Sequence, residues 1–150
     1  MNNLIWLNQS QPQTLYSGTM LAYFRAVWLL LFQSGGRIIV EGETITSIYG
    51  LLAFDVFKQI GLGGLFGDLM WLILAAALAL GGLGIANEKK WGYYAGVAGA
   101  VYAVVAVLWW MQRAEDFTSL SMLIRLMFDF VLVVLLLHPM SRSYRKIWFR

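Results

Sequence analysis

Apolar residues in this chain fall into long runs, without the alternation of a strand and with little of the striping of a soluble helix. Three runs stand out: Leu69 to Ala86, Trp91 to Met111 and Leu120 to Leu137. Each is close to the ~20 residues that a helix needs to cross a bilayer's hydrocarbon core. A weaker run extends from Leu15 to Phe32. In lipid, backbone N–H and C=O groups must bond within their own segment or a closed barrel. Unalternated Ala, Leu and Val favour helices over barrel strands. The pattern predicts an all-α membrane protein, a four-transmembrane-helix bundle in one domain. Its spans fall at about 15–33, 66–86, 91–112 and 119–138.

The polar breaks organise the rest. Gly35-Gly36 ends the first span, and Pro139 ends the last, because proline cannot continue the helical ladder. The turn Asn87-Glu88-Lys89-Lys90 is so short that the second and third spans must be antiparallel neighbours. Gly61 to Gly67 reads as a bent approach to the second span. Between about 46 and 60 a further helix is expected. It gathers Asp55, Lys58 and Gln59 on one face and Ala53, Phe54, Phe57 and Ile60 on the other. That pattern suits a helix lying in the outer interface. Its rival is a fifth span, which would put an odd number of crossings under a charge pattern that four already satisfy.

Composition agrees with lipid as the main solvent. Of 150 residues, 60% are apolar and 13% charged, against about 25% charged in a soluble domain. The absence of cysteine removes disulfides, thiolate metal sites and cysteine nucleophiles. Met1 to Gln13 carry no Lys or Arg, so they do not read as a signal peptide, and the N-terminus is expected to be retained.

The formal charge of +3 matters through its distribution. Lys89 and Lys90 share a side with Arg142, Arg145, Lys146 and Arg150. By the positive-inside rule this side is cytoplasmic, and both termini lie there. The other side carries Arg37, Glu41, Glu43, Arg113, Glu115 and Asp116. Trp91, Tyr93 and Tyr94 are expected in the inner aromatic belt, and Trp109 and Trp110 in the outer one.

The candidate chemistry is a set of charges within the spans: Arg25, Asp68, Arg125 and Asp129. An ionised side chain at the bilayer centre costs at least ~2.5–3.5 kcal/mol, so these groups must pair, snorkel or face an aqueous cavity. Depth along oppositely running helices suggests two ion pairs, Arg25 with Asp129 and Arg125 with Asp68. Alternatives stand beside them. Asp68 can cap the second span. Arg125 can snorkel outward or bond Asp129 one turn away. Asp129 has no short route to water, and a proton or ion pathway through it is the competing functional reading.

Two further features concern contacts. Gly92, Gly96 and Ala100 recur every four residues, with Ala95, Gly99 and Ala103 beside them, and the second span answers with Ala77, Gly81 and Ile85. Small residues let helix backbones approach closely in lipid. The stripe therefore packs the two spans together or docks another subunit. The tail from 140 to 150 is basic and aromatic, with Tyr144, Ile147 and Trp148 at helical spacing among Arg142, Arg145, Lys146 and Arg150. The charges suit the anionic cytoplasmic surface, and the aromatic residues suggest a surface helix or a docking site.

His138 is the only histidine, which excludes bis-histidine haem ligation within the chain. No P-loop, metal-ligand spacing or serine–histidine–carboxylate set is legible, so no cofactor, metal or nucleic-acid partner is expected. The expected partners are the bilayer and other membrane subunits, or further copies of the chain. The expected function is that of a non-catalytic membrane subunit or assembly factor. The alternative is a small transporter or channel-like oligomer using Asp129 and Arg25.

Overall fold

The computed structural model describes residues 4–33, 38–45, 47–114 and 119–150. Among the described residues the regular structure is helical apart from one small hairpin. Helix α1 is Gln13–Trp28 and continues through a wider π turn, Leu29–Gln33. Strands β1 (Ile38–Val40) and β2 (Glu43–Ile45) pair antiparallel, with Val40 opposite Glu43. Glu41 and Gly42 both have positive φ between them, as a tight two-residue turn requires. A 3-10 turn (Ile48–Gly50) leads into α2 (Leu51–Phe57) and a second such turn (Lys58–Ile60). Gly61, at φ +71°, ends it in the left-handed conformation. Then come α3 (Gly63–Ala86), α4 (Lys90–Ala114), α5 (Leu120–Leu137) and α6 (Pro139–Trp148).

Four helices are long and apolar enough to cross a membrane: Gln13–Phe32, Gly63–Ala86, Lys90–Ala114 and Leu120–Leu137. They match the four expected spans, although α3 begins three residues earlier because Gly63 and Gly64 form its first turn. The Gly35-Gly36 break, Arg37, Glu115 and Asp116 lie outside the described residues, as does Thr46.

The long helices close a ring in which α1 packs on α3, α3 on α4, α4 on α5 and α5 on α1. Successive helices run in opposite directions, so every neighbour in the ring is antiparallel. The core has two parts. The larger joins Leu15, Ala22, Leu29, Leu78, Val107 and Leu132 between the long helices. The smaller gathers Ile45, Leu51 and Phe54 under Trp110.

One end of the ring is closed by both ends of the described chain. Asn87 exchanges two hydrogen bonds with the Ile5 backbone (3.1 and 2.7 Å), and Gln11 Nε2 donates to the Ile85 carbonyl at 2.7 Å. The Arg150 N–H donates to the Glu88 carbonyl at 2.8 Å, and the Lys90 N–H to the Arg150 carbonyl at 3.0 Å. Pro139 sits at the first position of α6, with His138 accepting from Met140 N–H, so the chain turns at the proline and resumes as helix.

Of the two readings of the tail, surface helix or docking site, α6 shows docking on the bundle itself. Phe149 is buried, edge-on to Tyr93. Arg145 lies over the rings of Tyr93 and Tyr94, at 4.8 and 5.2 Å from their centroids. Its charge is thus held against aromatic faces. Tyr144 donates to Glu88 at 2.8 Å. Burial pushes the Tyr144 hydroxyl above its ordinary range, and Glu88 adds to this, so the tyrosine stays the donor. Arg142, Lys146, Trp148 and Arg150 remain exposed. Tyr93 is likewise no belt residue: it is 2% exposed and donates to the Leu136 carbonyl at 2.8 Å.

The helix expected to rest on the outside at 46–60 is also placed differently. It is broken into short pieces, and its first turn enters the bundle. Ile48, Tyr49 and Gly50 are buried between α3 and α4. Gly50 makes this possible, since a Cβ there would run into the Gly67 carbonyl. The segment returns along α4, where Asp55 accepts from Trp109 Nε1 at 2.8 Å and from Arg113 Nη1 at 2.6 Å. The physical reason for the inward turn lies at Tyr49.

Candidate functional site

Arg25 on α1 and Asp129 on α5 meet in the middle of the ring. Arg25 sits where α1 faces α5, and Asp129 occupies the buried side of a helix whose other sides are largely exposed. Arg25 Nε donates to Asp129 Oδ1 at 2.6 Å, and Arg25 Nη2 donates to Oδ2 at 2.9 Å. This is the two-point geometry that the planar guanidinium favours. The side chains are 3% and 0% exposed.

Tyr49 completes the cluster. Arg25 Nη2 also donates to the Tyr49 hydroxyl at 2.7 Å, and that hydroxyl lies 3.4 Å from Asp129 Oδ2 as donor. The backbone around Tyr49 is satisfied in turn. Its N–H donates to the Ser47 hydroxyl at 3.3 Å, and its carbonyl accepts from the Tyr102 hydroxyl at 2.7 Å. Irregular backbone within an apolar bundle is tolerated only when its polar groups find such partners. Two of the four long helices, α1 and α5, are therefore tied to the inserted turn, and α4 holds that turn from the other side.

The other intrahelical charges are arranged differently from the expected second pair. Among the described residues, no ion pair joins Arg125 to Asp68, and none joins Arg125 to Asp129. Arg125 and Asp68 each have an interaction of their own. The capping role for Asp68 also falls, because α3 starts at Gly63 and Asp68 lies more than a turn inside it.

The small-residue stripe faces inward. Gly92, Gly96, Gly99 and Ala100 on α4 and Gly81 on α3 are all buried. A Cβ on Gly81 would meet the Gly96 backbone at 2.6 Å, and one on Gly84 would meet the Gly92 Cα at 2.5 Å. The stripe is occupied by contact within the chain. Gly84 was not among the residues read from the sequence, although its spacing of three from Gly81 continues the row.

Tyr49 was the principal omission at the site. Tyr49 carries a signal in hindsight, since a tyrosine beside glycine in an apolar run needs a partner for its hydroxyl. Asp55 was assigned to a water-facing side, but its carboxylate is only 11% exposed and is held by Arg113.

Compared with known protein families, curated proteins and solved structures, the chain matches none.

Proposed function

We propose that this protein is a multi-pass integral membrane protein acting as a non-catalytic subunit or assembly factor for other membrane proteins. The observation that carries this reading is the closed state of the Arg25–Asp129–Tyr49 cluster. Asp129 has no exposure, and both its oxygens are engaged by Arg25. A group so enclosed serves to fix helices rather than to pass ions. Helix α5 supports a docking role because only 17% of its apolar window is buried within the chain, against 39–44% for the other three. Purification in mild detergent followed by intact-mass measurement tests the proposal. A hetero-assembly is expected. A lone 16.9 kDa chain overturns the subunit reading, and a homo-oligomer favours a channel instead.

In the membrane, the end bearing Lys89, Lys90 and α6 faces the cytoplasm, together with both termini. The chain has no native cysteine, so single cysteines report sidedness directly. In intact cells, Gln59→Cys is expected to react with an impermeant maleimide. Ser143→Cys is expected to react only after permeabilisation. Both positions are exposed. The opposite pattern inverts the topology, and equal labelling at both removes the membrane crossing.

A further inference from the structure

Leu4, Ile5, Trp6 and Leu7 form an unbroken apolar run outside any helix or strand. All four side chains are exposed, Leu4 at 65% and Trp6 at 68%. Their backbone, by contrast, is bonded inward. The Ile5 N–H donates to Asn87 Oδ1 at 3.1 Å, and the Ile5 carbonyl accepts from Asn87 Nδ2 at 2.7 Å. The same amide donates to the Leu83 carbonyl at 2.8 Å, which ties the run to the last turn of α3. The Trp6 carbonyl accepts from the Tyr23 hydroxyl at 3.0 Å. In water the solvent would serve these groups. At membrane depth, non-helical backbone is tolerated only where the protein satisfies it.

The depth of the run agrees. Trp6 joins Tyr23, Val27 and Leu30 of α1 and Leu80 and Leu83 of α3 in lining a groove of about 290 Å³. Leu80 lies six residues before the end of α3 at Ala86, about 9 Å along the helix. The Trp6 and Tyr23 rings are tilted together, 6.2 Å between centroids. The chain then returns to the end of the bundle, where Gln11 Nε2 donates to the Ile85 carbonyl. Val27, Leu30 and Leu80 are themselves exposed, so the run continues the apolar face that α1 and α3 turn outward. No charged side chain precedes Arg25 in the sequence, and nothing in the run resists entry into lipid.

We propose that residues 4–7 are a re-entrant anchor in the inner leaflet, clasped there by Asn87 and Tyr23, with Leu4 and Trp6 against acyl chains. Lipid is the fitting occupant. A partner protein binding an extended segment commonly pairs with its main chain, and here those groups are taken. The apolar side chains left over make no directional demand. The inference rests on the membrane reading above and not on the subunit role.

The full chain in phosphatidylcholine vesicles, carrying a nitroxide on one introduced cysteine, tests the proposal. Relaxation of the label by oxygen, which concentrates in lipid, is compared with relaxation by a water-soluble nickel chelate present on both sides. Val27→Cys marks the lipid-facing surface and Ser143→Cys the water-facing one. Leu4→Cys is expected to behave as Val27→Cys does, with oxygen exceeding nickel several-fold, and Ser143→Cys to show the reverse. Nickel dominating at Leu4→Cys while oxygen dominates at Val27→Cys overturns the proposal, because the run then lies in water. Nickel dominating at Val27→Cys as well overturns the membrane reading itself, and this inference with it. Asn87→Ala is expected to shift Leu4→Cys toward nickel and to leave Val27→Cys in contact with oxygen. Tyr23→Phe, which frees only the Trp6 carbonyl, serves should Asn87→Ala fail to fold. No shift in either variant overturns the clasp.

Discussion

Replacing Asp129 with alanine is expected to destabilise the folded protein by about 3–5 kcal/mol, the cost of leaving one partner of a buried ion pair uncompensated. Arg25 would keep its charge in an enclosed apolar setting with only the Tyr49 hydroxyl to receive it. Removing both charges together is expected to cost much less. Arg25→Met with Asp129→Leu should approach the parent to within about 1 kcal/mol, because apolar residues of similar volume commonly replace buried pairs without net loss. Thermal unfolding in detergent, followed by tryptophan fluorescence, gives both values. An Asp129→Ala protein as stable as the parent would remove the pair from its structural role. Asp129→Asn then separates the two functional readings. Intact stability with lost proton or ion movement in vesicles would assign Asp129 to transport, whereas loss of the folded state assigns it to the lock.

The same pair shows how far a sequence carries such an argument. Arg25 and Asp129 were legible because charge in an apolar run is costly and depth along a helix follows from ~1.5 Å per residue. Two residues on oppositely running helices can therefore meet if their depths agree and their helices pack. The second pair rested on the same reasoning but used a helix start that was wrong. Once α3 begins at Gly63, Asp68 lies inside the helix rather than at its first residues. Depth arguments are as good as the helix ends from which they count.

The inserted turn was less legible, for a different reason. Its amphipathic pattern was read correctly in part, as Ala53 and Phe54 are indeed buried. Periodicity gives the apolar face of a helix but not which neighbour covers it. An interfacial helix and a turn packed between α3 and α4 have the same pattern over 51–57. What separates them is Tyr49, whose hydroxyl reaches Arg25 across 24 positions of sequence, and Gly50, whose missing side chain lets the turn lie against the Gly67 carbonyl. Neither contact has a local sequence signature. The docked tail shows the same limit. Its basic residues suggested a lipid surface, but Arg145 finds Tyr93 and Tyr94 first.

A single methyl group at Gly92 is expected to do nearly as much damage as the loss of Asp129. In Gly92→Ala the new Cβ would run into the Gly84 backbone and would lie 2.9 Å from the Ile85 nitrogen. The obstacle is main chain on both counts, so no rotamer change relieves it. Helices α3 and α4 must move apart along the seam that forms their most extensive contact. The cost should reach about 3 kcal/mol, the upper end of ordinary overpacking. Gly96→Ala is the control, because it adds the same methyl one turn away. Its Cβ would meet the flexible end of Ile85 at 3.2 Å and the Gly81 Cα at 3.8 Å, so a small side-chain shift suffices. That variant should lose about 1 kcal/mol or less. Melting temperatures of the two proteins in one detergent decide the matter. Equal losses would mean that the stripe acts through general compactness. A large loss at Gly92 alone would place the close approach of the two backbones at the Gly84–Gly92 crossing, near the turn that joins the two helices.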